Sequence, residues 1–311
     1  MILRRLLPLP AVALGAAVLI FLLPRLAGGD PVRAVLRSRV AEAEPDPAVA
    51  ARVSAELGLD RPLPEQFLRW LSDVLTGDLG LSYATRTPVA PQLLSAIGVS
   101  ALLTAVALAL AAAVGIPAGV HAARRPGGVV DRLVGVASVL GVAVPEFILA
   151  PVLVLLLAVA VPLLPALGWG GPAHVVLPAI TLAAFPAALA AQVTRAETAD
   201  VLGRPHVVLA RAKGLRDGVV LWRHGARLAL TAVTSLSGLF FAGLLSGAVV
   251  VEVVFAVPGL GRLLHDAVVG QDLPVLQAGL LAVVVVAVVA SLVADAVQLA
   301  LDPVARTAAR A

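Results

Sequence analysis

The sequence predicts an all-α polytopic membrane protein, and its composition and long apolar runs carry that prediction. Of its 311 residues, 60% are hydrophobic and 14% are charged, and the mean hydropathy is +1.01. Soluble domains are about 45–50% apolar and about 25% charged, so the excess apolar surface faces lipid. This balance excludes a cytosolic enzyme, a nucleic-acid-binding module and a disordered tail.

The apolar runs have the length of transmembrane helices. A helix needs about 20 mostly apolar residues to cross the hydrocarbon core, and the runs lack the alternation of barrel strands. We therefore predict six transmembrane helices. They are Leu6–Leu23, Leu94–Val120, Leu133–Leu164, Val175–Val193, Leu228–Val251 and Val275–Leu292.

The basic residues predict the orientation, because short cytoplasmic loops are enriched in Lys and Arg. Arg124, Arg125 and Arg132 lie between the second and third spans, and segment 195–227 between the fourth and fifth is the most basic loop. Both termini are then cytoplasmic, in a multi-pass protein of the plasma membrane. The alternative is a cleaved signal peptide, but an even number of spans requires that the first helix be retained.

The predicted spans divide the chain into three parts. Residues 1–27 form the N-terminal tail and first helix, residues 28–93 a small extracytoplasmic helical insert, and residues 94–311 the core. The core contains the cytoplasmic loop 195–227 and an outer turn, 255–274.

Start and stop signals predict short helices outside the membrane. In the insert, Asp46 is placed to cap a helix that Gly58 ends, and Pro64 opens a second helix that Gly77 closes. In the outer turn, proline and glycine force a change of direction before a short helix over Arg262–Val269.

The chemistry of an enzyme or an ion-coupled pump is missing from the sequence. There is no cysteine, and Glu146, Glu252 and Asp295 are isolated acids near helix ends rather than a proton relay. A phosphate-binding P-loop requires a lysine followed by Ser or Thr, whereas the single lysine, Lys213, is followed by Gly214. We therefore predict a non-catalytic chain without a metal or cofactor of its own.

The loop between the fourth and fifth spans contains a compact helical segment, Val207–Leu215. Small residues let it enter a groove, and Gly214 permits the left-handed conformation that ends a helix, with Leu215 folding back onto it. Two interpretations are open from these residues alone. The segment docks onto a partner, or it is a basic loop that fixes the topology.

The residues of this loop resemble a known motif. Segment Ala210–Leu215 resembles the coupling-helix motif of ABC importer permeases of the dipeptide/oligopeptide/nickel family. Further segments resemble the same family in the same order, closest to the DppB/OppB type with the larger insert. They are Gly77–Ser82, Pro145–Phe147, Leu177–Leu182, Gly247–Phe255 with Pro258–Leu264, Asp295 and Leu301–Pro303. Pro205-His206 and Thr231 depart from the family pattern, which leaves the length of the coupling helix open.

The resemblance implies the type I ABC importer permease fold and a set of partners. These are a second homologous permease, two ATPase subunits that bind ATP and magnesium, and an extracytoplasmic substrate-binding protein. It implies di- or oligopeptide import by alternating access. Nickel or another small solute is an alternative within this class. An ion-coupled secondary transporter and a membrane scaffold without transport are alternatives from other classes.

The resemblance also assigns two groups of candidate residues. The ATPase-coupling candidates are Val207, Ala210, Arg211, Ala212, Lys213, Gly214 and Leu215. The translocation-pathway or outer-gate candidates are Glu252, Phe255, Pro258, Gly259, Leu260, Gly261 and Arg262. For Pro258–Arg262 a receptor-facing surface and a buried re-entrant turn that caps the pore are equally compatible with the sequence. Glu252 either binds a substrate amine or ties its span to the outer turn through a hydrogen bond.

Overall fold

The computed structural model describes residues 9–26, 47–56, 58, 60–222, 244 and 248–301. The described part is helical, and its one β-type pairing is an isolated bridge between Leu81 and Pro88. Its helices are α1 (Leu9–Leu26), α2 (Pro47–Glu56), α3 (Leu63–Thr76), α4 (Val89–Ala123), α5 (Val129–Ala143), α6 (Glu146–Val154, followed by a π-helical turn, Leu155–Ala160), α7 (Pro172–Leu202), α8 (Pro205–Ala212), α9 (Asp217–Val219), α10 (Val249–Val254), α11 (Leu260–Val269) and α12 (Leu273–Leu301).

Three of the described helices are long and apolar enough to cross a bilayer: α4, α7 and the Leu273–Val293 part of α12. They cover the second, fourth and sixth predicted spans. Within the first predicted span, α1 contains a shorter apolar helix, Ala11–Leu23. Most of the fifth predicted span, Leu228–Val251, lies outside the described residues.

The third predicted span is not one straight helix. Helix α5 and the helix that runs from Glu146 to Ala160 meet at an angle of 107°. Val144 is extended, with φ −86° and ψ 113°, because the ring of Pro145 excludes the helical conformation from the residue before it. Pro145 also lacks the N–H that would continue the helix. The prediction of a single span over Leu133–Leu164 is therefore corrected to a broken one, either a bent span or a re-entrant pair.

The predicted short helices are present. Helix α3 starts with Pro64 in its first turn and ends at Gly77, which adopts φ 85°, as a C-terminal cap requires. Helix α2 ends just before Gly58, and α11 starts two residues before the predicted Arg262. Asp46, the predicted cap of α2, lies outside the described residues.

The chain divides into two compact units, of which the first comprises residues 1–99 and 258–286. Its core joins the start of α4 to α11 and α12 through buried apolar side chains, among them Val89, Leu260 and Val275. On α1, Phe21 contacts Phe67 and Trp70 of α3, with ring centroids 5.3 and 5.7 Å apart. These contacts attach the insert to its neighbouring helices.

One buried carboxylate organises the loop before α4. Asp272 is 3% exposed and accepts hydrogen bonds from Ser82 Oγ at 2.5 Å and from the N–H groups of Tyr83 and Ala84 at 3.1 and 3.2 Å. It also accepts the N–H of Val275 in the first turn of α12, at 3.5 Å. The same side chain therefore fixes the loop and the start of the last helix.

The second unit comprises residues 100–257 and 287–311, and its helices α4 and α7 cross closely. A Cβ atom built on Gly115 would lie 2.5 Å from the carbonyl oxygen of Ala187. On Gly141 of α5, it would lie 3.0 Å from the carbonyl oxygen of Ala184. Small residues at these crossings allow the backbones to touch, as is common in membrane bundles.

Candidate functional site

The predicted docking segment forms helix α8 and a sharp turn. Gly214 adopts φ +80°, the left-handed conformation expected of it. The N–H of Lys213 donates to Leu209 O at 3.0 Å and the N–H of Leu215 donates to Ala210 O at 3.3 Å. The second bond spans six residues and is the one that defines a Schellman cap, so the predicted cap geometry is confirmed.

The candidate coupling residues divide into a buried and an exposed set. Val207 is fully buried and Ala210 is 8% exposed, so these two side chains hold the helix in place. The exposed set consists of Ala212, Lys213, Gly214 and Leu215, which the turn places together, and Leu209 joins them with 56% exposure. The side chain of Arg211 lies outside the described part of the chain.

Helix α8 is connected to two long helices of the second unit. Val207 packs with Val201, in the last turn of α7, and with Val220, which follows α9. The next residue, Leu221, packs against Val120 near the end of α4, and the ring of Trp222 meets His121 with centroids 5.8 Å apart. A displacement of α8 therefore acts directly on the end of α7 and reaches the end of α4 through the segment Val220–Trp222.

An ion pair in the second unit links α7 to α5. Arg195, on α7, makes a bidentate contact with the carboxylate of Asp131 in the first turn of α5; its Nη2 donates to Oδ2 at 2.9 Å and its Nε to Oδ1. Asp131 is 7% exposed and also accepts the N–H of Gly127 at 2.8 Å. Sequence reasoning missed this pair, because Arg195 counted only as part of the basic loop and Asp131 was not considered. An acid in the first turn of a helix within a basic loop was the available signal.

The two candidate outer residues of the second unit lie in its interior. Glu252 is fully buried and accepts a hydrogen bond from Ser100 Oγ of α4 at 2.5 Å. The backbone oxygen of Glu252 accepts the N–H of Val257, and that of Phe255 accepts the N–H of Gly168, both at 2.8 Å. The Glu252 side chain thus ties α10 to α4, and its backbone oxygen ties α10 to the start of the outer turn.

The remaining outer candidates belong to the first unit. Gly259, Leu260 and Gly261 are buried, whereas Pro258 is exposed and Arg262 is partly exposed. Leu260 belongs to the core formed with Val89 and Val275, and Arg262 lies 3.7 Å from the Asp266 carboxylate. Three of these five candidates are therefore packed inside the unit, and Pro258 and Arg262 are the two with accessible side chains.

The described part of the chain combines apolar helices long enough to cross a membrane with a short capped helix packed on the end of α7. In agreement, residues 115–307 match the family model described as the binding-protein-dependent transport system inner membrane component. The chain belongs to this family and is a membrane-embedded permease component of an ABC importer. Family membership decides between the importer class and the ion-coupled alternative, and the family works with ATPase and substrate-binding partners.

Curated relatives match the chain over nearly its whole length. The glutathione transport system permease protein GsiC of Pectobacterium atrosepticum is 39% identical over 303 residues, which is 97% of each chain. The protein of the same name from Escherichia coli K12 is 38% identical over 305 residues, or 98% of each chain. GsiC of Shigella dysenteriae shows the same identity and coverage.

Proposed function

We propose that this chain is the permease subunit of an ATP-driven importer of short peptides, including glutathione. The observation that carries the ATP coupling is the capped helix α8, which exposes a small cap, Ala212–Leu215, and is fixed by Val207 to the end of α7. The substrate class is supported by the printed names of relatives that align with the whole chain. In this proposal the chain performs no catalysis, and a second permease, two ATPases and an external binding protein complete the importer.

The contacts of α8 suggest how ATP-driven closure is transmitted. When the ATPase pair closes on the cytoplasmic caps, α8 moves, and Val207 and Leu221 pass that movement to α7 and α4. Because Arg195 holds Asp131, α5 moves with α7 rather than separately. The outcome is a rigid-body movement of packed helices between inward-open and outward-open states, the usual form of alternating access.

The topology is part of this proposal. The segment 195–227 and both termini lie in the cytoplasm, and the insert 28–93 and the outer turn 255–274 lie outside. Its support is the concentration of arginine in the short loops next to α4, α5 and α8.

The proposal is tested with the assembled importer. The chain is purified with its co-encoded permease and ATPase subunits, reconstituted in liposomes, and supplied with its binding protein and with glutathione, di- to oligopeptides or nickel. We expect a short peptide to stimulate ATP hydrolysis and to accumulate in the lumen, and an ATPase variant unable to hydrolyse ATP to abolish uptake. Uptake without ATP hydrolysis, or stimulation by nickel alone, contradicts the proposal.

A further inference from the structure

The first unit contains a cavity of about 640 Å³ between α3, the loop before α4 and the start of α12. Its volume lies within the range of about 300–1,000 Å³ that is typical of small-molecule sites. Apolar and aromatic side chains share its wall with charged ones; those used below are Arg69, Trp70, Asp73, Tyr83, Arg86 and Gln277.

Three charged groups on this wall have no partner among the residues that the structure describes. Arg61, at one edge, is paired with Glu65, but no ion pair or side-chain hydrogen bond joins Arg69, Asp73 or Arg86 to any of the described residues. The guanidinium of Arg69 lies against Gly58, where a built Cβ would be 3.3 Å from Nη1. The wall thus presents charges of both signs for an external ligand.

A buried polar side chain on the same wall points to a ligand independently. Gln277 of α12 is 6% exposed, and its amide has no hydrogen-bond partner within the described part of the chain. The amide is not sealed from water, because it borders the cavity, and a ligand that displaces that water can supply hydrogen-bond partners in its place. A ligand bound in the cavity can therefore provide a hydrogen-bond partner for Gln277.

The wall of the cavity is held in place before any ligand arrives. Trp70 packs on Phe21 and Phe67, with centroids 5.7 and 6.0 Å apart. The backbone of Tyr83 is fixed by the buried carboxylate of Asp272, which accepts hydrogen bonds from the Tyr83 N–H and from the hydroxyl of the preceding Ser82. A preformed wall lowers the cost of ordering a site on binding.

We propose that this cavity binds short peptides with free termini, as a site in addition to the translocation pathway. This inference rests on the proposed function for its substrate class. Arg69 and Arg86 match a peptide carboxylate, Asp73 matches an α-amino group, and the amide of Gln277 matches a peptide group. A phosphatidylcholine headgroup has no N–H group to donate to Asp73 or to the amide oxygen of Gln277, whereas a peptide has N–H groups for both, which is why the observations favour a peptide over this lipid.

The test measures equilibrium binding to the full chain in phosphatidylcholine nanodiscs, without the binding protein. The probes are radiolabelled glutathione and trialanine, and trialanine blocked at both termini. We expect saturable binding of the free peptides, weakened roughly tenfold or more by blocking the termini or by Arg86→Gln. Gln277→Leu, which keeps the side-chain volume, gives the same direction of change. Arg52→Gln, in the same insert but outside the cavity, leaves binding unchanged.

The outcomes separate this inference from the proposed function. Absent or non-saturable binding, equal binding of the blocked peptide, or no effect of Arg69→Gln, Arg86→Gln and Gln277→Leu overturns the cavity site. Peptide uptake by the assembled importer is measured in parallel with the wild-type chain. Uptake without cavity binding overturns the inference alone, whereas cavity binding without ATP-driven uptake overturns the proposed function alone. Thermal melting of each variant identifies any that fails to fold, and the remaining variants decide the result.

Discussion

At the residue scale, Gly214 is the position where backbone conformation bears most directly on coupling. Its φ of +80° costs about 1–2 kcal/mol for a residue with a Cβ and more for a β-branched one. We expect Gly214→Val to reduce peptide-stimulated ATP hydrolysis at least about tenfold in the assembled complex, with normal membrane insertion. Gly214→Asn, which tolerates the left-handed region, is the matched control and keeps most of the stimulation. Full stimulation with valine removes the role assigned to this turn.

The Asp131–Arg195 pair is the second residue-scale test. Asp131→Asn leaves a half-exposed guanidinium without its charge partner, so we expect a lower melting temperature, together with weaker coupling of ATP hydrolysis to uptake. The double reversal Asp131→Arg with Arg195→Asp restores at least part of both. The melting temperature of the purified chain and the ratio of transported peptide to ATP hydrolysed are the measurements. An unchanged ratio in Asp131→Asn means that α5 and α7 move together without this pair.

At the scale of elements, the crossing of α4 and α7 depends on the absence of a side chain. At Gly115 an added methyl group would meet the backbone of α7, whereas at Gly98, on the same helix, no atom of the described neighbours lies within 4 Å of a built Cβ. We expect Gly115→Ala to destabilise the chain by about 1–3 kcal/mol and Gly98→Ala to be neutral or stabilising, because alanine favours helix by about 1 kcal/mol. Thermal melts in the same detergent compare the two, and equal effects would show that the helices separate easily.

The elements also show which parts of the structure a sequence can predict. Caps are local, so Gly77 and Gly214 were predicted from one or two neighbouring residues, and the apolar runs located α4, α7 and α12. Hydropathy carries no information about the direction of a helix axis, so the bend at Pro145, which lies inside a continuous apolar run, was not predicted. The partners Asp131 and Arg195, and Ser82 and Asp272, are far apart in the chain, and only the folded structure brings them together. For the same reason the sequence did not divide the coupling segment into the buried Val207 and the exposed Lys213.

At the scale of the whole molecule, the proposed topology is testable because the natural chain has no cysteine. Single cysteines are placed at two exposed positions, Asp60→Cys in the insert and Lys213→Cys in the cap of α8. A membrane-impermeant maleimide added to spheroplasts should label position 60 at once, and position 213 only after permeabilisation. Co-expression of the ATPase subunits should protect position 213 and leave position 60 reactive. Labelling of position 213 from outside contradicts the orientation and the coupling role together.

The burial of Val207 has a consequence for how a permease of this kind changes its ATPase partners. Because the inward side of α8 is occupied by the permease's own valines, the described side chains that remain for the ATPase contact of the proposed function include Leu209 and the residues around Gly214. On the proposed function, compatibility with an ATPase subunit thus depends on exposed residues that can be substituted without disturbing the buried valines. Replacing these exposed residues with the corresponding residues of another importer should allow this chain to assemble with the ATPase subunits of that importer, while the transported substrate stays the same.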